Sequence, residues 1–186
     1  MADRWRHLPR PAASEAQRLE CATDPPGHGL RRSVWTDQDF AILGWHDALV
    51  RSVNVTLGDF REEDAPALGP QDQVALDLDY ITRWVQPTRA SHGHFTFWIA
   101  PCTLVFYGVT EWELEAERRD WSGGFEIADL HLVEGGWHVE GYGFGLYVAG
   151  AGFRQTFRHE PLHTDGQTLS LDERGGYSFS ETPAVL

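Results

Sequence analysis

The chain has 186 residues, a formal net charge of −13 and no lysine, so every one of its basic side chains is arginine. That length fits one domain, which can bury roughly 70% of its unfolded surface and needs no disulfide or metal to hold it together. The charge argues against general nucleic-acid or anionic-membrane binding, because like charges repel across the whole surface, and it suits a basic protein partner.

Eight Trp, ten Phe and five Tyr make the interior aromatic. The two cysteines, Cys21 and Cys102, stand in unlike contexts and form no zinc motif, and Cys102 reads as a small buried hydrophobe. No apolar run is long enough to span a bilayer, and the opening MADRWRHLPRP lacks a signal-peptide core, so a cytoplasmic location is expected.

Taken in order, residues 1–35 read as an N-terminal arm, rich in Pro and Gly, with one short helix over Ser14–Glu20 started by a Ser14…Gln17 capping box. Residues 36–186 read as a single β-rich domain. Thr36 or Asp37 caps a helical turn that Gly44 stops. Val53, Val55 and Leu57 alternate with Ser52, Asn54 and Thr56, a strand with one wet face. Residues 58–72 form a charged loop.

The two most apolar runs follow, over residues 74–107. Val74, Leu76, Leu78 and Tyr80 alternate with Ala75, Asp77, Asp79 and Ile81, which predicts a strand with one face buried and both aspartates on the other. Phe95, Phe97 and Ile99 alternate with His94, Thr96 and Trp98, and the turn chemistry of residues 86–91 makes the pair an antiparallel hairpin.

Shorter strands continue to the end. Residues 112–117 alternate apolar with acidic, and residues 125–133 fall out of phase at Ala128-Asp129, as at a bulge. Gly135-Gly136 closes a hairpin, and strands are predicted over 137–142, 144–148, 153–158 and finally 167–171. The fold class is mainly β: an antiparallel sandwich or barrel of about 8–10 short strands with a short N-terminal helical arm.

Three constellations could carry chemistry. His92-Gly93-His94, if on a strand, would aim two imidazoles at one divalent metal ion, with His46, Asp47, Asp77 or Asp79 as a third ligand; in a loop they would be surface residues. Asp77 and Asp79, two apart on a strand, would perturb each other as acid/base carboxylates, or would form a solvated face or a rigid ion pair with Arg83 nearby. His46 would be a third acid/base group, or a histidine hydrogen-bonded in the ordinary way. Phosphate-loop, dinucleotide, nucleophile-elbow and His-Glu-x-x-His signatures are missing from the sequence.

The blocks Gly44-Trp45-His46-Asp47, Leu76 to Ile81 with Trp84-Val85, and Phe97 to Phe106 resemble those of a family of uncharacterised bacterial proteins, similar in style to the immunity proteins of bacterial toxin systems. The resemblance covers about residues 42–116. It implies a shared cluster of Trp45, His46, Asp47, Asp77, Asp79, Tyr80 and Trp84.

Two functions are therefore expected as alternatives. One is a non-enzymatic, immunity-like β-sheet protein that binds a basic protein partner through an acidic surface, with an open edge able to form a homodimer. The other is a small-molecule enzyme or binder whose aromatic pocket takes an aromatic ligand. There, His46, Asp77 and Asp79 would be catalytic, Trp45, Asp47, Tyr80, Trp84 and Trp98 would bind, and His92 and His94 would hold a metal.

Overall fold

A computed structural model describes residues 27–58, 72–116 and 125–186. Within them lie ten strands: β1 (Val34–Thr36), β2 (Leu49–Thr56), β3 (Gln73–Val85), β4 (Thr96–Tyr107), β5 (Glu111–Ala116), β6 (Phe125–Val133), β7 (Gly136–Gly141), β8 (Phe144–Ala149), β9 (Gly152–Phe157) and β10 (Leu162–Thr164). A 3₁₀ turn covers Asp37–Ile42, and a single-turn helix, α1, covers Leu171–Arg174. None of these helices is long and apolar enough to cross a membrane.

Every pairing is antiparallel, in the order β1-β9-β4-β3-β2-β6-β7-β8-β5, with β10 lying beside β4. Only two positions join β2 to β6, Leu49 to Glu126 and Val50 to Phe125, so the path divides there into two sheets that meet at a corner. The sheet does not close, and a sandwich or open barrel describes it.

The predicted hairpin is the centre of the molecule. Twelve paired positions join β3 to β4, and the alternating residues Val74, Leu76, Leu78 and Tyr80 lie opposite Phe106, Leu104, Cys102 and Ala100 on one inner face. Phe153 and Phe157 extend that face. Ile127, Leu130, Trp137, Val139, Leu146 and Val148 come from the second sheet to meet it, with the Trp137 ring 5.9 Å from Phe106 and 6.1 Å from Phe153.

The other face of β3 departs from the expectation. Asp77 and Asp79 do point away from that core, but both are wholly buried rather than wet, because residues 169–184 run across them. This C-terminal strap is tied down along its length. Thr103 Oγ1 donates to the Ser180 carbonyl, Ala184 N donates to Phe157 O, and Ser33 Oγ donates to the Ala184 carbonyl. The strand predicted over 167–171 is replaced by the strap: Leu169 N donates to Asp79, and Ser170 caps α1 in a capping box with Glu173. The last strand is instead β10, whose three residues are too few to show an alternation.

Residues 27–36 pack on this domain, and Leu30 joins its core. Gly29 makes that possible: its φ is +82°, and a Cβ there would stand 2.7 Å from the Thr82 carbonyl oxygen. The predicted arm boundary at 35 therefore falls inside β1, and the Ser14–Glu20 helix lies outside the described residues.

Phe153 is the ring that Phe40, Trp45, Phe106 and Trp137 share. Phe153→Ala should cost about 3–5 kcal/mol in denaturant unfolding, whereas Leu132→Ala, 64% exposed, should stay within about 0.5 kcal/mol.

Candidate functional site

Beneath the strap, two aspartates meet three arginines. Asp77 Oδ1 accepts from Arg174 Nη2 at 2.7 Å and Arg158 Nη2 at 2.6 Å, and its Oδ2 accepts from Arg174 Nη1 at 2.8 Å and Ser178 N at 3.1 Å. Asp79 Oδ1 accepts from Arg174 Nε at 3.0 Å, and its Oδ2 accepts from Arg51 Nε at 2.7 Å and Leu169 N at 3.2 Å. Arg174 is as buried as the aspartates. Burial alone would lower its pKa, but the hydrogen bonds and charges of Asp77 and Asp79 outweigh that and raise it.

A bulge in β2 between Val50 and Ser52 supplies Arg51 as the extra residue and turns it towards Asp79. Arg158 also donates to Thr103 Oγ1 and the Ser178 carbonyl. Each carboxylate oxygen already holds at least one donor, so the arrangement suits holding two segments together and leaves little room for proton transfer to a substrate. The ion-pair alternative describes these aspartates, but with Arg51, Arg158 and Arg174 as partners; Arg83 instead donates to the Gly27 carbonyl.

His46 and Asp47 sit at the corner between the sheets. Neighbours on a strand would face opposite ways, but Asp47 takes φ +62° in a turn, which folds its carboxylate back to 3.4 Å from His46 Nε2. His46 Nδ1 lies 2.9 Å from the Ala128 carbonyl; a carbonyl only accepts, so Nδ1 carries the proton and donates. Gln167 Nε2 donates to Asp47 Oδ2 at 3.1 Å. Glu126 completes the group: partial burial pushes its pKa up first, and the Asp47 charge and a hydrogen bond with Asp47 push it further, while His46 opposes them. His46 is 58% exposed, so the corner is a surface cluster.

The remaining predicted site residues lie elsewhere. Trp45 is in the core, its Nε1 donating to Gln155 Oε1 at 2.7 Å, and Tyr80 is also buried, its ring 5.3 Å from Phe157. Trp84 lies towards the outer end of the β3–β4 hairpin, 5.8 Å from the exposed Phe95 ring, and Trp98 stacks on His163 at 4.9 Å. His92 and His94 stand in the exposed turn before β4, with His92 at φ +52°, so the strand face assumed for a metal pair does not form. Among the described residues, no three His, Cys, Asp or Glu side chains are arranged to hold a metal ion.

The cluster that the resemblance implied is thus divided among the core, the strap interface, the corner and the hairpin's outer end. Sequence reasoning missed Arg51, Arg158, Arg174 and Glu126. The capping box at Ser170…Glu173 was the one local signal near any of them.

The open end of the sheet carries a different feature. In β5, Glu111, Glu113 and Glu115 share one face, while Trp112 and Leu114, 44% and 38% exposed, share the other. β8 pairs with one edge of β5, and among the described residues no strand pairs with the opposite edge.

No known protein family, curated protein or solved structure matches the chain.

Arg174→Met should cost about 3–5 kcal/mol in urea unfolding, because it strips hydrogen bonds from two buried carboxylates while Arg51 and Arg158 remain. Glu126→Gln should act oppositely. A carboxyl whose folded pKa is raised contributes stability below its ordinary value and loses it as pH rises through the raised value. Thermal unfolding should therefore show a higher Tm for Glu126→Gln at neutral pH, and the gain should vanish on acidification.

Proposed function

We propose that this chain is a non-enzymatic, immunity-like β-sheet binding protein acting in the cytoplasm, and that it takes a basic, extended protein segment along the free edge of β5. The observation that carries this reading is that edge itself. It offers a row of three glutamates, two half-exposed apolar side chains and, among the described residues, backbone N–H and C=O groups that no strand pairs, all on one six-residue strand. An added strand would gain main-chain hydrogen bonds from the edge, and alternate side chains would set its specificity, with arginine or lysine facing the glutamates and apolar residues facing Trp112 and Leu114. The net charge of −13 would speed the encounter with a cationic partner.

The dispersal of the predicted acid/base residues supports binding over catalysis. His46 is at the surface corner, Asp77 and Asp79 are engaged by arginines, and the aromatic residues named with them lie in other places. A lone charged edge strand also serves to discourage aggregation, and the two roles differ in what they predict for binding.

The test is calorimetric titration with a short peptide that alternates arginine with valine, at low and at raised salt. Binding should be saturable, weaken with salt, and fall about tenfold or more in Glu113→Arg plus Glu115→Arg, equivalent to ~1.4 kcal/mol. Amide shifts in an NMR spectrum should centre on Glu111–Ala116. Binding that is unaltered by the charge reversal, or shifts centred elsewhere, would remove the reading.

A further inference from the structure

The inner face of β9 carries Phe153, Gln155 and Phe157 in succession, all of them wholly buried. Register sets Gln155 opposite Leu104 on β4 and Trp35 on β1, inside the apolar layer between the sheets. A glutamine is an unexpected choice there. Leucine or methionine would fill a similar volume without a polar group to satisfy.

Its amide has a fixed orientation. Trp45 Nε1 is only ever a donor, and it lies 2.7 Å from Gln155 Oε1, so the oxygen must face the indole and Nε2 must face away. Nε2 is buried and, among the described residues, has no hydrogen-bond partner. Leaving such a donor unmet costs about 1–3 kcal/mol. The groups nearby are mostly rings. Trp45 packs on Phe153 at 5.7 Å and on Phe40 at 5.8 Å, and Tyr80 packs on Phe157 at 5.3 Å. Aromatic walls with one convergent polar group are the usual make-up of a small-molecule site.

We propose that the interior beside Gln155 binds one hydrogen-bond-acceptor oxygen, supplied by the carbonyl of a small apolar ligand or by a water molecule. Gln155 Nε2 is the donor that holds it, and Trp45 is the positioning residue that keeps the amide turned that way. Beside the 3₁₀ turn, Phe40 and Leu43 are only partly buried where they pack against this core. This site is separate from the β5 edge, and neither inference depends on the other.

A high-resolution crystal structure of the full chain should show an oxygen about 2.7–3.2 Å from Gln155 Nε2. Mass spectrometry of an organic extract identifies its source: a discrete compound means a ligand carbonyl, and an empty extract with a long-lived water cross-peak to the Gln155 amide protons means water. In Gln155→Met the oxygen should be lost while the Trp45 and Phe153 rings keep their places. An Nε2 with no oxygen neighbour overturns the proposal, as does an oxygen that persists in Gln155→Met. Should that variant fail to fold, the amide cross-peaks of the unaltered chain decide: contacts to water or to ligand protons sustain the site, and contacts to protein protons alone refute it.

Discussion

The contact between Arg174 and the Asp77–Asp79 pair is the constraint on which the rest of the first sheet depends. A β-strand buried on both faces is ordinarily apolar on both. β3 instead carries two carboxylates on its second face, and these tolerate burial because three guanidinium groups reach them from a β2 bulge, the end of β9 and the strap. The pairs are worth little as a net source of stability relative to apolar replacements, since desolvation offsets most of the attraction. Their effect is on specificity. Only a segment presenting an arginine at the right height satisfies both aspartates, so the strap has one register on the sheet.

That arrangement also accounts for the division of labour between the two faces. The inner layer is held by non-directional packing of rings such as Phe153, Trp45 and Trp137, which accept many small adjustments. The outer layer is held by directional bonds that accept few. Between them, the corner at Leu49–Val50 joins the sheets through two paired positions, and there the His46, Asp47 and Glu126 side chains collect. At the far end β5 has an edge that no strand among the described residues pairs with, and its glutamates give that edge a charge of its own.

Much of this was legible in the chain. The alternation in residues 74–107 gave the hairpin and its inner face, and the phase change at Ala128-Asp129 marked the bulge seen between Ile127 and Asp129. The same alternation misled on Asp77 and Asp79, because a period of two shows that two faces differ and does not show what covers the second. Their arginine partners lie 28 to 97 residues away, a separation at which local pattern carries no information. For His92 and His94 the pattern left strand and loop open, and the loop alternative describes them: β4 begins only at Thr96, and His92 takes left-handed backbone in the turn before it. The turn geometry that brings Asp47 back onto His46 was equally hidden: aspartate is among the residues that take positive φ, but one Asp with no Gly or Pro beside it does not mark a turn.

The long separation within the ion network has a consequence for synthesis. Asp79 is translated 95 residues before Arg174, the guanidinium that bridges it to Asp77. β4 ends at Tyr107, so at about 5–20 residues per second a growing chain holds the completed β3–β4 hairpin for roughly 3–13 seconds before Arg174 is made. During that interval neither carboxylate has its Arg174 partner, and of the three guanidinium groups only that of Arg51, on β2, precedes the hairpin in the chain. Vectorial translation thus sets the order of events: the aromatic layer has its β3–β4 residues early, and the charged layer is sealed last.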